Sequence, residues 1–119
     1  MTVPGLLVRL ATVRKVREQQ ALRALAEAVR AAEANRALAM RVDGLLAAGV
    51  APGPRGAHAH ASAAAGRDQL RAVQALLAVR QTGRDALRQT RAQQLGEAAA
   101  ATQVVEARLA QTIDEEAAA

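Results

Sequence analysis

The sequence predicts an all-α protein: a long two-helix antiparallel coiled-coil hairpin in which the second helix overhangs the first. Three observations carry this. The chain of 119 residues holds 33 Ala and no Phe, Trp or Tyr, so it lacks the side chains that each remove roughly 150–250 Å² from water in a thick core. Its apolar residues recur at spacings of three and four, the period of a coiled-coil seam. Helix breakers gather in one place, AAGVAPGPRGAHAHAS at residues 47–62, which holds three Gly and two of the three Pro; that composition marks the loop.

The first helix is expected over about residues 4–48. Thr2 is a capping side chain, and Pro4 just inside has no N–H that the first turn needs. Within it Leu6, Leu10 and Val13 share a face, with Arg17 one heptad after Leu10. The stripe moves on to Leu22, Leu25, Val29 and Ala32, then Leu38, Val42 and Leu45. The Gly/Pro loop is expected at about 49–61, and the second helix at about 62–116 with Ser62 as its cap. There Leu70, Val73 and Leu77 continue to Leu87, interrupted by Arg80 and Arg84, before Leu95, Ala98, Thr102, Val105 and Leu109. Gly66, Gly83 and Gly96 lie inside, each costing up to about 1 kcal/mol relative to Ala.

Folding the chain at residues 53–56 sets residue i opposite roughly 108 minus i, so that the stripes meet apolar against apolar. The seam is then expected at Leu10, Val13, Leu25 and Leu38 against Leu70, Leu77, Leu87 and Leu95. At 1.5 Å per residue the helices come to about 65 and 80 Å. The second overhangs at the end where the chain termini meet, exposing Val105, Leu109 and Ile113.

Composition narrows the function classes. No Cys is present, which removes disulfides, Cys-based zinc sites and thiol nucleophiles. No run of 18 apolar residues exists, and charge begins at Arg9, too early for a secretory h-region; a cytoplasmic protein is expected. His58 and His60 stand near the only Ser, Ser62, in the expected loop, with no Asp, Glu or Cys beside them to complete a metal or catalytic site. PGPRG lacks the spacing and the Lys-Ser/Thr of a phosphate loop. A non-enzymatic protein without metal, cofactor or small-molecule substrate is expected.

Charge is uneven. Fifteen Arg and one Lys give a net charge of +5, with nine bases against four acids in residues 1–56 and seven of each in 57–119. Such asymmetry fits solvated helix faces, or an acidic partner, nucleic acid or a membrane.

The stretch LLVRLATVRKVREQQALRALAEAVRAAE resembles the N-terminal helix of the flagellar export protein FliJ family, related to type III secretion stalk proteins. Leu7, Leu10, Val13 and Arg14 match the family's opening pattern, followed by Arg17, Glu18, Gln19, Gln20, Ala21 and Leu25. The resemblance covers the first 35 residues in pattern and the whole chain in architecture. It implies a coiled coil similar to the central stalk (gamma) subunit of rotary ATP synthases, its terminal tip entering the pore of a hexameric flagellar export ATPase (FliI-like). It also implies contact with the export gate protein (FlhA-like) and with export chaperones, peripheral to the inner-membrane export apparatus. The tip residues would be Arg9, Arg14, Lys15, Arg17, Gln20, Val105, Leu109 and Ile113. Family members often carry aromatics along the middle of the rod, and here there are none. A self-associating coiled-coil scaffold and a basic helical nucleic-acid-binding protein are the alternatives; against the latter, bases and acids interleave and no aromatic can stack on bases.

Overall fold

The computed structural model describes residues 2–49 and 56–119. It holds two helices, α1 (Val3–Ala48) and α2 (Ala57–Ala118), and no strand among the described residues. The all-α two-helix hairpin is the class that the composition predicts. Thr2 opens α1: its Oγ1 accepts from the Gly5 N–H at 3.2 Å, and its carbonyl accepts the first helical bond, from Leu6 N, at 3.0 Å. Gly49 closes α1 with φ at 66°, the left-handed conformation in which a glycine ends a helix without a Cβ penalty.

Helix α2 begins five residues earlier than Ser62, because Ala57, Ala59 and Ala61 are strong helix formers and the Gly56 carbonyl accepts from His60 N at 3.1 Å. Ser62 is therefore an internal, exposed helical residue rather than a cap, and His58 and His60 lie on the first turns of α2 rather than in a loop. Pro52, Gly53, Pro54 and Arg55, at the expected turn, lie outside the described residues.

Two compact units make up the chain. A terminal unit joins Met1–Ala28 to Leu87–Ala119, and a central unit spans Val29–Ala86. In the central unit α1 turns Ala32, Asn35, Ala39, Val42 and Leu46 inward against Arg67, Leu70, Leu77 and Gln81 of α2. In the terminal unit Leu7, Ala11, Arg14, Glu18, Ala21, Leu25 and Ala28 face Arg91, Leu95, Ala98, Thr102, Val105 and Leu109. The α1 positions alternate in steps of four and three, the strict coiled-coil period.

The register differs from the expected one. Asn35 Nδ2 donates to Gln81 Oε1 at 2.8 Å, so residue i lies opposite about 116 minus i, a shift of roughly two turns from the expected pairing. Ala39 then stands opposite Leu77, Ala21 opposite Leu95 and Ala11 opposite Val105, a small side chain against a larger one in each layer. Leu77 is 2% exposed and Ala32 1%; burying a Leu side chain stabilises by about 1.5–3 kcal/mol. Arg67 Nη2 donates to the Leu46 carbonyl at 3.4 Å, level with the end of α1. The α2 residues 57–62 precede that level and are exposed. In the central unit, then, α2 begins before the level at which α1 ends and overhangs it there.

Candidate interaction surface

Each seam position has two neighbours in sequence, and they fall on opposite flanks of the helix pair. In α1 of the terminal unit the residues one place ahead of the seam are Leu6, Leu10, Val13, Arg17 and Gln20. Those one place behind include Val8, Lys15 and Leu22. Of the predicted seam residues, Leu25, Leu70, Leu77 and Leu95 stand on the seam, and Leu10, Val13, Leu38 and Leu87 stand one residue ahead of it, on the leading flank. Leu10, Val13, Leu38 and Leu87 are 41%, 45%, 44% and 43% exposed, whereas Leu25, Leu70 and Leu95 are half-buried and Leu77 is buried. The cause is the size of the true seam residues. Ala lets the backbones approach closely, and the large side chains beside it are left outside.

The proposed tip residues separate in the same way. Arg9, Arg17 and Gln20 are exposed, and so is Ile113. Lys15 Nζ lies 3.6 Å from Glu106 Oε1 in an exposed ion pair, the kind that contributes at most about 1 kcal/mol. Val105 is buried and Leu109 half-buried, because the shifted register brings them against Ala11 and Leu7. They hold the hairpin together and do not overhang. Arg14, not Arg17, occupies the seam; it is half-buried, and its Nε is buried without a hydrogen-bond partner among the described residues. Thr102, which the register sets opposite, gives its hydroxyl hydrogen to the Ala98 carbonyl at 3.0 Å.

One polar network escapes a sequence reading. Asn35 is buried, and its Nδ2 donates to both the Leu77 carbonyl at 3.1 Å and Gln81 Oε1. Gln81 Nε2 passes on to Asp85 Oδ1 at 2.9 Å, and Arg36 Nη2 lies 3.7 Å from the same oxygen. A buried amide in a seam satisfies its bonds in one register only, so it fixes alignment at some cost in stability. The signal that could have found it is the unbroken four–three alternation from Leu7 to Leu46, on which Asn35 falls.

Two shallow grooves lie on the surface. One, of about 420 Å³ in the terminal unit, is lined by Lys15, Glu18, Gln19, Leu22, Leu95 and Ala99. The other, of about 220 Å³ in the central unit, is lined by Ala31, Ala34, Asn35, Leu38, Arg80 and Arg84. Neither holds a nucleophile beside a base. No group of three His, Cys, Asp or Glu able to hold a metal exists among the described residues, and no described helix is long and apolar enough to cross a membrane.

In α1 of the terminal unit, large apolar residues stand on every side. Leu6, Leu10 and Val13 are on the leading flank, Val8 and Leu22 on the trailing flank, and Val16 with Arg9 on the back. The chain matches no protein-family model, no curated protein and no solved structure.

Proposed function

We propose that this chain is a non-enzymatic stalk of a flagellar type III protein export apparatus, with its terminal unit inserted into a hexameric export ATPase ring of the FliI kind. One observation carries the reading. The unit that contains both chain ends exposes apolar side chains around the whole circumference of α1, at Leu6, Val8, Leu10, Val13, Val16 and Leu22. Exposed apolar side chains on several faces, interleaved with charged ones, suit a helix that a partner surrounds, and a ring encloses what it holds. Arg9 and Arg17 among those residues add the guanidinium groups that protein interfaces favour. The resemblance of the first 35 residues to the FliJ family supports the same partner, and with it a cytoplasmic place beside the inner membrane and links to an FlhA-like gate and to export chaperones.

The test is hydrolysis. Purified chain, added at saturation to the flagellar export ATPase of its own organism, raises the ATPase rate and the fraction of hexamer. No effect on either sinks the reading. Arg9→Glu with Arg17→Glu, both fully on the surface, abolishes the stimulation while helicity survives.

A self-associating scaffold is the second reading. It draws on the many large hydrophobics exposed among the described residues, against a buried apolar core of Ala28, Ala32, Val42, Leu77 and Val105. Sedimentation of the chain alone separates the two, since a stalk stays monomeric at concentrations where a scaffold does not.

A further inference from the structure

In the central unit charge and apolar surface are sorted onto opposite flanks. All four of its acids stand one residue behind a seam position: Glu33, Asp43, Asp68 and Asp85 follow Ala32, Val42, Arg67 and Arg84. Two of these acids are engaged, Asp43 by Gln74 Nε2 at 2.7 Å and Asp85 by Arg36 and Gln81. The leading flank is the reverse. Leu38, Leu45, Val73 and Leu76 are exposed there at 44%, 60%, 41% and 50%, and no acid stands among them. Arg80 and Arg84 rise beside the groove on that flank, and neither makes an ion pair or hydrogen bond among the described residues.

We infer that this leading flank docks one acidic amphipathic helix of a partner protein, lying in the groove between α1 and α2 as a third strand of the coiled coil. Its apolar stripe covers Leu38, Leu45, Val73 and Leu76, and carboxylates along its edge pair with Arg80 and Arg84. Bidentate pairing with carboxylates is what a guanidinium with free donors offers. Charge decides against a second copy of this chain. A two-fold contact through the same flank would supply no carboxylate to Arg80 or Arg84, because no acid stands on that flank. The trailing flank of another copy carries acids but only Met40 as a large exposed apolar residue. The inference concerns residues 29–86 and does not rest on the stalk reading, which concerns the terminal unit.

The test uses the full chain and a synthetic helix of about 21 residues, long enough to run along four to five turns of the flank. The probe carries Leu at two positions of each heptad and Glu beside them; its control carries Lys in place of every Glu. The natural chain has no Cys, so Leu76→Cys accepts a single environment-sensitive dye on the leading flank, and Met40→Cys one on the opposite side. The Glu probe shifts the Leu76→Cys emission to the blue and leaves that of Met40→Cys unchanged, while the Lys probe does neither. Arg80→Glu weakens the Glu probe about tenfold, and the difference shrinks in high salt. Arg80→Glu alone is used, because Arg80 stands one residue clear of the seam residue Gln81, and circular dichroism confirms that it stays helical. Equal binding of the two probes, no binding at all, a shift at Met40→Cys, or self-association of the unliganded chain through the labelled flank each overturns the inference.

Discussion

Among the polar residues of the seam, Arg14 and Asn35 act in opposite ways. The amide of Asn35 is satisfied twice across the helix pair. Asn35→Ala removes both bonds and leaves the Gln81 carboxamide oxygen without its partner, so stability falls by about 1–3 kcal/mol. Chemical denaturation with an unchanged m-value checks this, and a changed m-value would instead show the helices slipping into another register. Arg14 has its Nε buried and unmet, a group whose desolvation costs about 1–3 kcal/mol. Arg14→Leu removes that donor and keeps an aliphatic side chain against Thr102, so the thermal midpoint rises by several degrees, corresponding to about 1 kcal/mol. If the variant melts lower, the guanidinium is stabilising the hairpin through bonds to water. Arg17, which sequence pattern sets on the stripe, lies outside the seam and is exposed, which makes it available to a partner at no structural cost.

At the scale of the helices, what was legible in the sequence was what backbone chemistry alone decides. Ala content, the Thr2 cap and the Gly/Pro cluster fix two helices and their approximate ends. The seam was legible on α2 at Leu70, Leu77 and Leu95 but only partly on α1, where the large apolar residues Leu6, Leu10 and Val13 flank a seam held by Leu7, Ala11 and Arg14. A one-residue error of that kind rotates the helix by about 100° and exchanges the buried face for the flank. The register has a different cause: pairing symmetrical about the Gly/Pro stretch assumes that both helices end level with it, whereas α2 runs from Ala57 to Arg67 before it meets the last turn of α1 at Leu46. Propensity also makes the element-scale prediction. Gly83 and Gly96 lie inside α2, and a Cβ at either meets nothing within 4 Å. Gly83→Ala with Gly96→Ala therefore stabilises α2 by about 1–2 kcal/mol in all, read as a higher midpoint of the helical signal at 222 nm. A lower midpoint would mean that the glycines serve a bend or a close approach absent from the free chain.

For the whole molecule the question is whether the two units open separately. Each has its own buried residues, Ala28, Thr102 and Val105 in the terminal unit and Ala32, Asn35, Val42 and Leu77 in the central one, so each has its own source of stability. Yet α1 and α2 run without interruption through both boundaries, between Ala28 and Val29 and between Ala86 and Leu87. Opening one unit alone ends each helix at the boundary, where the last turn leaves up to four backbone groups without an intrahelical partner. Helical continuity is thus the route by which stabilisation of one unit would reach the other. A partner bound to the terminal unit at about a hundred times its dissociation constant adds about 2.7 kcal/mol of stability to the state that binds it. Amide exchange measured with the export ATPase at that excess then slows by about a hundredfold in residues 3–28 and 87–118, and substantially in 29–48 and 57–86 as well. Protection confined to the terminal unit would show two independently opening units, and a partner helix on the central flank would then bind without any thermodynamic link to the ATPase.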